Sequence, residues 1–318
     1  MSVLSAPHFH NEEAAYAYVE ARLWPNGPVC PHCGGVERVG KMGGKSTRIG
    51  AYKCYQCRKP FTVKVGTIFE SSHVPMRHWL QAMFLMASSK KGVSANQLYR
   101  TLGCTLKTAW FIEHRIREAM SAGSLAPFGG GGGDVEVDET FIGFDPMEPR
   151  QRSGYGHKLK VMTLVDRTSG QIESVHMEDL TAKGVAEVLG EKIDPGARLI
   201  TDSATHYRRA GRALSAHESV NHSVGEYVRA DDASIHTNTV EGTFSIFKRG
   251  MRGVYQHCAK KHLHRYLAEF DFRYSNRIAL GIDDVQRADN ALKGVRGKRL
   301  TYQTVSVRRP GAETRVVW

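Results

Sequence analysis

Asp134-Val135-Glu136-Val137-Asp138-Glu139-Thr140 is the stretch on which the fold turns. Acidic and β-branched residues alternate. The stretch therefore reads as a strand with Glu136 and Asp138 on one face and Val135 and Val137 on the other. Phe141 and Ile142 extend its apolar side. Moving outward, Leu159 to Val165 reads as a second strand after the basic turn His157-Lys158. Gln171 to Met177 reads as a third, with Thr168-Ser169-Gly170 as the hairpin turn. Ala182 to Leu189 reads as a helix closed by Gly190. Arg198 to Thr201 is a short buried strand that delivers Asp202, and His206 to Leu214 is a basic helix. A weak strand at Ser219 to His222 precedes a long helix from Asn238.

Three antiparallel strands, a helix, a strand, a helix, a weak strand and a helix is the order of the ribonuclease H fold. An α/β core of that class is expected over residues 134–280. In that architecture one carboxylate rises from the first strand, a second sits at the end of the adjacent fourth strand, and a third comes from a later helix. Asp138, Asp202 and Glu241 occupy those places. The third lies in His236-Thr237-Asn238-Thr239-Val240-Glu241, followed by the run Gly242 to Gly253. As a helix, this segment carries Asn238, Glu241 and Lys248 on one side, because residues three apart are neighbours and two turns take about 7.2 residues.

An amide, a carboxylate and a cation on one stripe do not make a packing face. They suit a divalent metal and a phosphate. Two Mg²⁺ (or Mn²⁺) ions about 3.5–4 Å apart, held by hard oxygen ligands, supply an activated oxygen and a stabilised leaving oxygen for cutting a phosphodiester. Asp138 is expected to bridge both ions, with Asp202 on one and Glu241 on the other. Asn238 adds a neutral oxygen or takes the third place itself. Lys248 is expected on a phosphate near the cut, and Arg249 and Arg252 on the DNA backbone. An Asp after a strand is also an ordinary helix cap, so each acid alone has a plain reading. Glu136, Glu139, Asp145 and Asp166 lack a second supporting feature and are not assigned to the site. His206 and Tyr207 line a DNA channel or pack, and His236 orients or caps the helix.

Upstream, Gly129 to Gly133 is five glycines in a row, read as a flexible linker over residues 125–133. Before it, Cys30-Pro31-His32-Cys33-Gly34-Gly35 and Cys54-Tyr55-Gln56-Cys57 form two Cys-x-x-Cys knuckles, a tetrahedral zinc pattern. Cys30, Cys33, Cys54 and Cys57 are the expected ligands of a zinc ribbon at 25–70. It is preceded by an N-terminal helix within 1–24. The region 71–124 reads as helical, with Trp79, Met83, Phe84, Met86 and Ala87 on one apolar face. Ser94 to Gln97 has the form of a capping box, Gly103-Cys104 is a turn, and Thr105 caps a longer helix. On that helix Ala109, Ile112 and Ile116 are expected inside, and Lys107, His114, Arg115 and Arg117 outside. This is helix-turn-helix grammar, with Lys107, Arg115 and Arg117 as DNA contacts. Cys104 reads as structural and Cys258 as buried. Lys260 to Arg277 reads as an amphipathic helix, and 281–318 as a weakly patterned tail with a strand at Lys298 to Val307.

Lysine and arginine number 44 against 32 acidic residues, a net charge of +12, which points to a polyanionic partner. No apolar run approaches the ~20 residues of a membrane span, and Met1 to His10 has no signal-peptide pattern. The expectation is a cytosolic, nucleoid-associated protein acting on double-stranded DNA, with no membrane partner.

Taken together, these residues resemble the DDE-type transposases of bacterial insertion sequences, in the zinc-ribbon group with an ISXO-like catalytic domain. The segments that carry the resemblance are the two cysteine knuckles, Lys90-Lys91-Gly92-Val93-Ser94, Val137-Asp138-Glu139-Thr140-Phe141-Ile142-Gly143, Thr201-Asp202, His236 to Gly242, and Phe272-Arg273-Tyr274-Ser275-Asn276-Arg277. They span most of residues 25–280. The resemblance implies binding of terminal inverted repeats, DNA cleavage and strand transfer into target DNA by a homo-oligomer. Some members carry Asn as the third catalytic residue. Both Asn238 and Glu241 are present here, and Lys248, seven residues on, favours Glu241. Two other readings remain: a zinc-ribbon and helix-turn-helix regulator with an inactive core, and a ribonuclease H-fold nuclease or resolvase.

Overall fold

The computed structural model describes residues 2–300 except 124, 146, 150 and 153. The N-terminal half begins with helix α1 (Glu12–Leu23), capped by the Asn11 side chain. Three short antiparallel strands follow, β1 (Val39–Lys41), β2 (Tyr52–Cys54) and β3 (Pro60–Phe61), in the order β1-β2-β3. Then come α2 (Met76–Ser88), α3 (Ala95–Leu102) and α4 (Leu106–Met120). Ser94 caps α3 by accepting from the Gln97 amide, and Thr105 caps α4 by accepting from Thr108. Gly103, at φ 63°, turns the chain between them. Trp79, Met83, Met86, Leu98, Ile112 and Ile116 form the core of this half.

The expected basic outer face of α4 is corrected at three positions. His114, Arg115 and Arg117 are buried, not exposed. A single apolar stripe predicts one buried side, but α4 is enclosed on several. Arg117 pairs with Glu113 at 3.3 Å and with Glu269, from a helix far along the chain, at 2.7 Å. Arg115 donates to the carbonyls of Ile68, Glu70 and Leu300. His114, held well below its usual range by burial and then by Arg117, is neutral there. Lys107, in the first turn, is exposed as expected.

The second half is built on β4 (Asp134–Ile142), β5 (Leu159–Asp166), β6 (Ile172–Met177), α5 (Ala182–Lys192), β7 (Arg198–Asp202), α6 (Tyr207–Gly211) and β8 (Ala216–Val220). Helices α7 (Asn238–Gly250), α8 (Leu263–Ser275) and α9 (Asp284–Lys293) follow. The five strands lie in the order β6-β5-β4-β7-β8. The first three pair antiparallel, whereas β4, β7 and β8 run parallel. Val135, Val137, Met162 and Leu164 pack against α5 through Val185 and Leu189. On the other face, Val161 meets Phe247 of α7 and Leu267 of α8.

Several boundaries differ from the sequence reading. Helix α5 continues through Gly190 because the apolar stripe runs on from Leu189 to Ile193, both buried. A glycine inside a helix costs about 1 kcal/mol, less than burying a leucine-sized side chain contributes. Helix α6 is only five residues long. A five-residue π turn, Met251–Tyr255, extends α7.

The glycine run is not a loose joint. The Gly129 amide donates to the Asp166 carboxylate at 3.0 Å, and Gly133 donates to the Gly129 carbonyl at 2.9 Å. Gly129 sits at φ +74°, where an added Cβ would lie 2.5 Å from Ala197 Cβ. Glycine is required there because backbone packs on the sheet, not because the chain must flex. The C-terminal stretch is likewise more than a tail. Asp283 and Gln286 form a capping box that starts α9, and Ala291, Leu292 and Val295 join the N-terminal core. Asp289 receives Tyr18 Oη at 2.7 Å and Arg22 Nε at 2.6 Å, both from α1. Lys298 to Leu300 is not a strand, and the remainder of the expected strand to Val307 lies outside the described residues. Among the described residues, no helix is long and apolar enough to cross a membrane.

Candidate active site and metal centres

The four paired cysteines meet. In the first knuckle the Gly34 amide donates to the Cys30 carbonyl at 2.9 Å, with Gly34 at φ +73°. The second knuckle begins on Cys54 at the end of β2. Cys30 and Cys57 sulfurs are 3.6 Å apart, Cys33 and Cys54 3.7 Å, and all four lie within 4.8 Å of one another. A disulfide needs ~2.05 Å, whereas four thiolates at ~2.3 Å around a tetrahedral zinc sit ~3.8 Å apart. The set fits structural zinc. The amides of Cys57 and Gln56 point at Cys54 and favour its thiolate. Trp24, Tyr52 and Phe61 pack beneath the cluster.

The acids come from three elements. Parallel pairing of β4 with β7 sets Glu136 opposite Ile200, and Asp138 and Asp202 each follow two residues further on, towards the same end of the sheet. Asp202 is the last residue of β7 and accepts from the Ala204 amide at 2.9 Å. Glu241 sits in the first turn of α7, where Thr237 Oγ1 and His222 Nε2 each approach it at 3.2 Å. The Asp138 carboxyl is pushed up to about 7, first by burial and then by the negative charges of Glu139, Asp202 and Glu241. Asp202 and Glu241 are therefore each within electrostatic reach of Asp138. The oxygens of the three acids do not close to the 4.8 Å spacing that the cysteine sulfurs reach. Lys248 is half-buried. Burial and the nearby Arg252 and Lys158 lower it, while Asp138 pulls the other way. Asn238 is exposed at the start of α7. Arg249 and Arg252 are exposed, and Arg249 folds back on Ser245 at 3.0 Å.

Residues 131–275 match the family described as ISXO2-like transposase domain, and residues 10–60 match the transposase zinc-ribbon domain. The chain belongs to the zinc-ribbon insertion-sequence transposases. This transposase is 28% identical over 284 residues to an uncharacterized protein in transposable element ISH50 of Halobacterium salinarum, covering 83% of this chain and 91% of that protein. A chain of the simian T-cell lymphotropic virus intasome in complex with PP2A regulatory subunit B56 gamma matches at 14% identity. It covers 55% of this chain and 63% of that one, at a TM-score of 0.30, too distant to bear on the fold.

The transposase also uses acids that sequence reading left aside. Glu136 is fully buried; its Oε2 accepts from the Thr239 and Val240 amides, both at 3.0 Å, and its Oε1 from Arg167 Nε at 2.6 Å. The alternation that put Glu136 on the Asp138 face was the available signal. Nothing local said that a helix a hundred residues away would land on it. Glu139 accepts from His206 Nε2 at 2.6 Å, a bond that holds the His206 proton to higher pH. Asp166 fastens the glycine turn, and Asp145 pairs with Lys260 at 3.0 Å.

Proposed function

We propose that this transposase binds the terminal inverted repeats of its element, cleaves them and joins them to target DNA, using Asp138, Asp202 and Glu241 in a ribonuclease H-like core. The observation that carries the reading is the crowding of three carboxylates from β4, β7 and α7 with Lys248 alongside. Burial first, and then the negative charges around it, disfavour the ionised form of Asp138, and bound divalent cations would relieve that cost. Divalent cations with hard oxygen ligands would also suit carboxylates spread wider than the four thiolates. Magnesium held by these acids would supply charge stabilisation at the attacking and leaving oxygens. Asp138, on the central strand, would be the shared ligand, with Asp202 and Glu241 at either end. Lys248 would hold a phosphate against the acids, with Lys158 and Arg252 extending the cationic side. Asn238, one turn before Glu241, remains the alternative third residue.

Helices α3 and α4, with the Gly103 turn between them, would serve as the end-reading unit, with exposed Lys107 near the turn. Arg115 and Arg117 take no part, since their charges are spent inside the protein. Joining two ends would call for a homo-oligomer on DNA.

The test is strand transfer of a labelled inverted-repeat end into plasmid DNA. Wild-type protein with Mg²⁺ should give a joined product, and Asp138→Asn, Asp202→Asn and Glu241→Gln should abolish it. Cutting without joining would make the protein a nuclease. Metal-independent binding with neither would make it a regulator.

A further inference from the structure

Helix α7 lacks a side-chain cap of its own; Thr237, before its first turn, makes no capping bond. Its Thr239 and Val240 amides are satisfied by Glu136, reaching across from β4. A carboxylate at a helix N-terminus is favoured by both the open amides and the helix dipole. Here that carboxylate is fully buried, and its second oxygen is held by Arg167 at 2.6 Å. Arg167 also donates to the carbonyls of His236, at 2.8 Å, and Ser234, in the segment that leads into the helix. Arg198, on β7, grips the same segment. It donates to Ser234 Oγ at 2.9 Å while paired with Asp134 at 2.7 Å.

We propose that Glu136, with Arg167 and Arg198, is a positioning clamp that sets the place of Glu241 relative to Asp138 and Asp202. The inference rests on the active-site reading above. Strand β4 carries both Asp138 and Glu136, and β7 carries both Asp202 and Arg198. Each strand that delivers an acid thus also delivers a hold on the element bearing the third. Both oxygens of Glu136 are occupied and the residue is sealed from solvent, so it acts through α7 and is not itself a metal ligand. A helix rises ~1.5 Å per residue, and a misplacement of ~1 Å in a reacting constellation costs on the order of 10²-fold in rate.

The test uses the full chain with Glu136→Gln. The substituted amide oxygen can still accept from both backbone amides, but without the carboxylate's charge, and the amide nitrogen turns a donor towards Arg167. Amide exchange at Thr239 and Val240 should quicken about tenfold or more, because the opening free energy of that turn falls. Mn²⁺ binding followed by electron paramagnetic resonance should weaken about five- to tenfold. Strand transfer should fall about 10–100-fold, with affinity for end DNA unchanged. Unchanged exchange and Mn²⁺ affinity, or a transfer loss no greater than the loss of folded protein, overturns the clamp. If Glu136→Gln does not fold, Arg198→Met is judged by the same exchange and Mn²⁺ criteria. Glu241→Gln is the control that separates the two claims. If it transfers normally, the active-site reading itself is wrong. If it is inactive and has lost Mn²⁺ affinity while both clamp variants match wild type, only the clamp fails.

Discussion

Replacing Asp138 by Asn should make the metal-free protein more stable while abolishing strand transfer. Burial and three nearby carboxylates raise this acid from 3.8 to about 7. At ~1.4 kcal/mol per tenfold change in proton affinity, that is roughly 4 kcal/mol against the ionised form. Asn keeps the cost of burying a polar amide and loses only the charge, so a gain of about 2 kcal/mol is expected. For a unit of 150–250 residues this is a rise of roughly 4–8 °C in Tm. The sign with pH follows from linkage. The folded value lies above the unfolded one, so the wild-type contribution is intact below about 4 and is lost as pH rises through about 7. The gap between variant and wild type should therefore widen from about pH 4 to about pH 7 and level off above. Scanning calorimetry without Mg²⁺ is the assay, and without chelator, which would strip the zinc. Added Mg²⁺ should then raise the wild-type Tm and leave the Asn variant nearly unmoved. A pH-independent gap, or an Asn variant less stable at about pH 8, would refute the crowding argument.

Removing zinc should release one ion per chain and make Cys30, Cys33, Cys54 and Cys57 reactive together, as metal analysis with thiol titration would read. Glu269→Ala strands Arg117 and Arg273 without their shared buried partner and should cost about 3–5 kcal/mol, seen as a lower urea midpoint. Burial alone would raise Glu269, but Arg273 and Arg117 hold it below its ordinary value. Its contribution should be present above the usual carboxylate range and fade as pH falls below it, a loss that Glu269→Gln would not show. Arg252→Ala should reduce the slope of log affinity against log salt by ~0.9 if it meets one phosphate. Arg115→Ala should lower folded yield and leave that slope unchanged, and a changed slope in folded Arg115→Ala protein would contradict its buried place.

The strands around Asp138 were readable because their hydrophobic pattern is local. Alternation from Val135 to Val137 and the β-branched run into Val165 need no distant partner to be recognised. The cysteine knuckles were readable for a similar reason, since zinc geometry demands its ligands at fixed short spacings. The basic face of α4 was misread because periodicity reports one buried stripe and cannot count neighbours. Arg117 looks solvent-facing until Glu269 arrives from residues far downstream. The glycine run misled in the opposite direction: five glycines permit flexibility, but they also permit the close backbone packing that Ala197 and Val135 enforce. Helix α9 was read as part of a tail, because its apolar side makes sense only against α1 and α2.

Sequence alone determined the zinc ligands, the order of strands and helices from β4 to α7, and which acids were candidates for a metal. These follow from residue chemistry and short-range periodicity. Tertiary structure alone decided which charges remain free to meet DNA, that the C-terminal helix completes the N-terminal core, and that Glu136 holds the helix bearing Glu241. Each of those rests on contacts between residues far apart in the chain, and a buried charge shows its role only through the partner that makes its burial tolerable.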